Sequence, residues 1–143
     1  MKYLLDTNII SEIQKPDYNK NVKSFIDMVD MKDLYLSCFT IGELCYGIEK
    51  LPAGKKKNEL NVWLQSRILK WFEQRILYLD TDVMICWGKL RAAAARTLPL
   101  DDSLIAAIAV FHNMTLVTRN TKDYEDIKGI NLLNPWDFSS PRP

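Results

Sequence analysis

Short apolar runs alternate with longer stretches of helical period along this chain. Lys2 to Leu5 suits a buried strand and is stopped by Asp6-Thr7-Asn8, where Thr7 is placed to cap a helix carrying Ile9, Ile10 and Ile13. Lys15-Pro16-Asp17 ends that helix. Val22, Phe25, Ile26 and Val29 then recur at three- and four-residue steps, an amphipathic helix over residues 21–31. Leu34 to Ser37 reads as a second strand. Thr40 followed by Glu43 has the form of a capping box, opening a helix that runs through Leu44, Ile48 and Leu51 to Pro52-Ala53-Gly54.

A lysine loop, Lys55 to Lys57, precedes a long helix predicted over 58–74, with Leu60, Trp63, Leu64, Ile68, Trp71 and Phe72 on one broad face. Ile76 to Leu79 is the third strand. Asp80-Thr81-Asp82 opens a helix ending in Ala92 to Ala95. Asp101 and Asp102 open an apolar helix through Phe111; His112 and Asn113 form a loop, and Met114 to Thr118 is the fourth strand. A polar turn, 119–123, a short fifth strand, Ile130 to Leu133, and Asn134-Pro135-Trp136 complete the pattern. Strands separated by helices predict an α/β fold, a three-layer α/β/α sandwich on a mostly parallel five-stranded sheet. The pattern shows neither repeat nor linker, so residues 1–138 are taken as one domain and 139–143 as a loose tail.

Composition changes this picture little. The chain has 143 residues, 48% of them hydrophobic and 26% charged, the balance of a folded globular domain. A net charge of +1 argues against a protein that coats nucleic acid, yet leaves a nuclease open, because clustered carboxylates cancel basic patches in the total. No apolar run approaches the ~20 residues of a membrane span, and Asp6 interrupts any signal-peptide core. Three cysteines without a CxxC pair point to buried thiols in a reducing, cytoplasmic setting.

The candidate chemistry lies in carboxylates at strand ends and helix starts: Asp6, Glu43, Asp80, Asp101, Asp102 and Asp123. In a parallel sheet with right-handed crossovers these positions share one end, where ligands bind. Several carboxylates there repel unless a cation neutralises them. Oxygen ligands without clustered His or Cys select Mg²⁺ or Mn²⁺ over zinc. Each acid also has a structural alternative. Asp6 can satisfy backbone donors at its turn, Glu43 can complete a capping box, and Asp101 and Asp102 can complement a helix dipole. Pattern alone therefore reaches an acidic α/β pocket and stops.

Three segments together go further. YLLDTNIISEI, LSCFTIGELCYGIEKL and LDDSLIAAIAVFHNMTLVTRNTKDY, in that order and at these intervals, resemble the signature of PIN-domain ribonucleases. Length and spacing are similar to the VapC and FitB-like toxins of bacterial toxin–antitoxin modules, over nearly the whole chain. The resemblance implies metal-dependent RNA cleavage with Mg²⁺ or Mn²⁺, a homodimer, and neutralisation by an antitoxin protein. Carried onto this sequence it assigns Asp6, Glu43 and Asp102 as the metal-holding acids; the D-x-x-I-A-A pattern selects Asp102 over its neighbour Asp101. Relatives place a fourth acid either where Asn120 stands or three residues later, at Asp123. Only Asp123 adds charge, and it is assigned as the fourth carboxylate. Thr7, Thr40, Asn120 and Asp101 are expected in supporting roles, and Arg119, Lys122 and Lys55, Lys56 and Lys57 as contacts for the RNA backbone. An apolar groove between the helices around 40–51 and 58–74 is expected to take an amphipathic antitoxin helix.

Two other classes compete. An aspartate-based phosphoryl-transfer domain needs a second acid beside or two residues after the first, whereas position 8 is Asn. A catalytically idle PIN-like module, binding RNA or only its antitoxin, would keep the pocket without turnover.

Overall fold

The computed structural model describes residues 1–139; the tail residues 140–143 lie outside the described residues. Five parallel strands form one sheet: β1 Tyr3–Leu5, β2 Leu34–Ser37, β3 Ile76–Leu77, β4 Thr115–Val117 and β5 Asn131–Leu133. Their spatial order is β3-β2-β1-β4-β5. Tyr3 pairs with Leu34 on one side and Thr115 on the other, which makes β1 the central strand. The chain builds outward from β1 through β2 to β3, then crosses over to build β4 and β5 on the opposite flank. The order thus reverses between β1 and β4, the switch point where open α/β sheets form their crevice.

Side chains alternate across the sheet as strand geometry demands. Leu4 and Leu116 face one core with helices α6 (Thr81–Ala93) and α7 (Leu100–Phe111), which contribute Val83, Ile105, Ala106 and Ile108. Leu5, Leu36 and Val117 face the other, filled by α1 (Thr7–Ile13), α2 (Lys20–Met28) and α3 (Cys38–Glu49), and by Leu64, Ile68 and Phe72. That is the α/β/α sandwich expected. Helix α7 is buried through its middle, from Ser103 to Ala109. Its three alanines, 106, 107 and 109, have no exposed surface, so the helix lies close on the sheet. The Trp87 indole donates to the Ser103 hydroxyl at 2.9 Å and so pins α6 to α7 near the start of α7.

Several element boundaries differ from the sequence expectation for identifiable reasons. Asp6, not Thr7, caps α1: its Oδ1 accepts the Thr7 N–H at 2.7 Å. Helix α3 begins at Cys38, and Ser37 caps it by accepting the Thr40 N–H at 3.0 Å. Glu43 then falls too deep in the helix to reach back to the cap, and no capping box forms. The lysines are not a loop. Helix α4 starts at Lys55 and runs to Trp63, continues through a π-helical turn over Leu64–Ile68, and ends with α5 (Leu69–Trp71). Lysine is a good helix former, and Lys55 pairs with Glu59 one turn on at 3.8 Å. On the broad face expected there, Leu64, Ile68 and Phe72 are buried while Trp71 is 47% exposed. The strand at 76–79 shortens to two residues at the sheet edge. The thiols are not uniformly buried: Cys38 and Cys86 are partly so, Cys45 is exposed, and all three are free.

Candidate active site

The carboxyl ends of β1 and β4 open into a cavity of about 470 Å³. Asp6 enters it directly from β1. Glu43 enters from the second turn of α3, Asp101 and Asp102 from the first turn of α7. Residues scattered across the chain are thus brought together by the strand order. Asp6 is held twice: by the Thr7 N–H on Oδ1, and by the buried Thr118 hydroxyl, which donates to Oδ2 at 2.9 Å. The Thr7 hydroxyl donates to Glu43 Oε1 at 2.5 Å and lies 3.2 Å from the Thr40 hydroxyl. Thr40, itself buried, lies 3.1 Å from Ser37 Oγ. Asp101 accepts the Asp102 N–H at 3.1 Å.

Two donors that pattern reading missed complete the support. Tyr124, 2% exposed, donates its hydroxyl to Asp102 Oδ1 at 3.2 Å. Burial and the neighbouring carboxylates push its phenol far above the usual range, so it stays a donor. Thr118 serves Asp6, accepts from the Asn8 amide at 3.2 Å and accepts the Asn120 N–H at 3.1 Å. In the sequence Tyr124 looks like an aromatic after a turn and Thr118 like the end of a strand. Their only local signal is a polar atom on a residue whose flanks demand burial.

The electrostatics are those of an unneutralised acid cluster. Burial raises the Asp6 carboxyl above its ordinary range; the Thr118 and Thr7 hydrogen bonds oppose this without cancelling it, and the Asp101 charge adds to it. Glu43 is raised by burial and by the charges of Asp6, Asp101 and Asp102, against the Thr7 hydrogen bond. Asp102 is raised by burial, then by Asp101, with Tyr124 opposing. A cation in the cavity would relieve all three. Among the described residues no three or more His, Cys, Asp or Glu side chains stand close enough together to hold an ion by themselves. An ion that keeps several waters and takes one or two carboxylates directly, as Mg²⁺ does, needs no such group.

The remaining expected site residues divide. Asn120 and Arg119 line the cavity; Asp123 and Lys122 do not. Asp123 is exposed on a short 3-10 turn whose backbone carbonyl accepts from Arg96 at 2.7 Å, though its charge is close enough to raise Asp102. Lys57 is committed to α3, donating to the Glu49 carbonyl at 3.0 Å, and Lys55 to Glu59. Lys56 lines a separate groove that adjoins Thr7 and Glu43.

Because Thr118 satisfies three partners in a buried position, Thr118→Val should strand the Asn8 amide and the Asn120 N–H and loosen Asp6. The expected result is a loss of about 10–100-fold in divalent-metal affinity, read by calorimetry, together with a lower Tm.

Comparison with known proteins decides what kind of acid cavity this is. The family model described as PIN domain matches residues 3–130. The chain belongs to the PIN-domain family. The PIN-domain relatives include Toxin FitB of Neisseria gonorrhoeae, 38% identical over 136 residues, covering 93% of this chain and 97% of that one. A VapC ribonuclease of Sinorhizobium fredii is 34% identical, covering 94% and 97%. The structure of FitAB bound to a DNA fragment superposes with a TM-score of 0.89 at 35% identity, covering 98% of this chain and 99% of that one. Other solved structures with this PIN fold are VapBC and toxin–antitoxin complexes, some of them bound to DNA. PIN-domain nucleases generally depend on a divalent metal. Among the described residues no helix is long and apolar enough to cross a membrane.

Proposed function

We propose that this PIN domain is a Mg²⁺- or Mn²⁺-dependent endoribonuclease of the cytoplasm that acts as the toxin of a toxin–antitoxin pair. The observation that carries the reading is the cluster of Asp6, Glu43 and Asp102 at the sheet's switch point, each carboxyl raised by burial and by its acidic neighbours. Such a cluster costs stability unless a cation is held there. A divalent ion held there would supply positive charge against the phosphate oxygens and a more acidic water.

The chain's own residues do the rest. Asp6, fixed by Thr7 and Thr118, and Asp102, fixed by Tyr124, present oxygens of set orientation. Glu43, held by Thr7, lines the same cavity and is the carboxylate assigned to accept a proton from the attacking water. Asp101 and Asn120 stand at the cavity wall beside them, and Asp123 adds negative charge from outside it. Of the two cations lining the cavity, Lys15 is paired with Glu12, and Arg119 is the one that contacts the RNA backbone.

The antitoxin's place is the groove of α1, α3 and α4. Its floor is Leu44, Ile48, Leu51, Leu60 and Trp63, and it opens beside Thr7 and Glu43. An amphipathic helix laid there would cover the approach to the acids. A homodimer has a different surface available on the other side of the sheet, where Ile85 and Phe111 are 53% and 44% exposed between α6 and α7.

The test is direct. Purified protein incubated with RNA should cut it with Mg²⁺ or Mn²⁺ and stop with a chelator. Intact RNA under both metals, from protein that binds them, would leave an idle module as the better description.

A further inference from the structure

The cavity has a second wall of different chemistry. Arg119 and Trp136 line it, and the Arg119 guanidinium carbon lies 4.8 Å from the centroid of the Trp136 ring. The ring quadrupole attracts a cation at that distance. Among the described residues the guanidinium enters no salt bridge and makes no side-chain hydrogen bond. The nearby acid Glu12 is spent on the Lys15 ammonium at 3.0 Å and the Asn19 N–H at 2.9 Å. An exposed arginine lining an acidic cavity thus has its guanidinium over an indole and no hydrogen-bond partner for its side-chain N–H groups among the described residues, although its charge reaches Glu12.

Both partners are also tied to the acid cluster. The Trp136 backbone N–H donates to Asn134 Oδ1 at 2.9 Å, the Asn134 amide to the Arg119 backbone carbonyl at 3.2 Å, and the Asn21 amide to the Trp136 backbone carbonyl at 2.6 Å. The Arg119 N–H donates to Asn8 Oδ1 at 3.3 Å. Asn8 in turn donates to Thr118, and Thr118 donates to Asp6. A hydrogen-bonded path therefore runs from the Trp136 backbone through the Arg119 backbone to Asp6, and it fixes the main chain that carries both side chains relative to that carboxylate.

We propose that Arg119, seated on Trp136, is a subsite for an RNA backbone phosphate neighbouring the one that reacts, with Trp136 as its positioning residue. This rests on the nuclease reading and adds the specific group that fixes the strand. A planar guanidinium with one face on an indole keeps its edge for two phosphate oxygens. An ammonium on a flexible stem cannot reproduce that arrangement. The same pre-organisation lowers the side-chain entropy lost on binding.

The experiment uses the full chain and a mixed-sequence single-stranded RNA with Ca²⁺ present to measure affinity against salt concentration, beside cleavage with Mn²⁺ and Mn²⁺ calorimetry. Arg119→Ala should weaken RNA binding about 10-fold or more and lower the salt slope by about 0.7, the value of one phosphate on a single strand. Trp136→Phe should keep most of the affinity. Trp136→Ala should lose about 3–10-fold and cost nothing further when combined with Arg119→Ala, since the ring acts through the guanidinium. Arg119→Lys should retain the slope yet lose affinity. Mn²⁺ affinity should be unchanged in all of them. Wild type that cuts RNA but binds it no better than Arg119→Ala, with the same slope, overturns the subsite alone. Arg119→Ala that loses Mn²⁺ affinity also overturns it, because the residue would then be supporting the acids. Wild type with an Arg119-dependent slope that never cuts overturns the nuclease reading alone.

Discussion

Asp102→Asn is expected to reduce RNA cleavage by about 100-fold or more while raising the Tm of the metal-free protein. The two effects have one cause. Asp102 sits on the first turn of a helix whose middle is buried, in a cavity it shares with Asp6, Glu43 and Asp101. Burial and the Asp101 charge already raise its carboxyl. Asparagine keeps the shape and still accepts from the Tyr124 hydroxyl, but it removes one of the mutually repelling charges. Changing a group that merely supports a metal ligand costs about 10–100-fold, so removing a direct carboxylate should cost at least the upper figure. Near neutral pH the Tm gain should be largest. It should fade as pH falls into the ordinary carboxylate range, because Asp102 in the parent protein, raised above that range by burial and Asp101, has taken up its proton by then and the repulsion disappears. Cleavage assays and thermal melts of the same preparations decide it. An asparagine variant that cuts at the parent rate would remove Asp102 from the site.

Divalent metal should stabilise the fold strongly, and increasingly so as pH rises. Asp6, Glu43 and Asp102 all have folded-state carboxyls above their ordinary values. Between the ordinary and the raised values the folded protein therefore binds more protons than the unfolded chain. By linkage the metal-free protein loses stability as pH climbs through that window, and the penalty persists above it. A metal needs the deprotonated acids, so its affinity climbs through the same window. The Tm difference between samples with Mn²⁺ and with chelator should be small at pH ~4 and largest near neutrality. At a hundredfold excess over Kd it should correspond to about 2.7 kcal/mol. The difference between paired samples also cancels the exposed ion pairs that act the other way, where Glu12 and Asp126 are lowered by their hydrogen bonds to Asn19 and Arg96. Chelator should abolish cleavage at every pH. A metal-induced shift that shrinks as pH rises would contradict the acid cluster as the metal's site.

Much of this was open to a reader of the sequence, and the residues show why. Period-2 and helical-period patterns report which face of each element is buried, so the α/β layering follows from them. Asp6 and Asp102 stand at element boundaries, where a carboxylate is visible against apolar flanks. The likeness of three ordered segments to PIN ribonucleases then narrowed the function, and the family match over residues 3–130 bears it out. Boundaries were less legible. Whether Ser37 or Thr40 caps α3 depends on where β2 runs out, and that choice decides whether Glu43 spends itself on the helix end or faces the cavity.

By itself, then, the sequence determined the layers, the acids available and the family, because burial pattern and motif are local properties of the chain. The tertiary structure alone decided what the acids meet. Strand order puts Thr118 of one flank against Asp6 of the centre, 112 positions away, and packing aims Tyr124 at Asp102. It brings Asn120 to the wall and leaves Asp123 outside, and it lays Arg119 on Trp136. These are contacts between distant segments. Their geometry is set by how the strands order and how the helices pack, and periodicity along the chain carries no record of either.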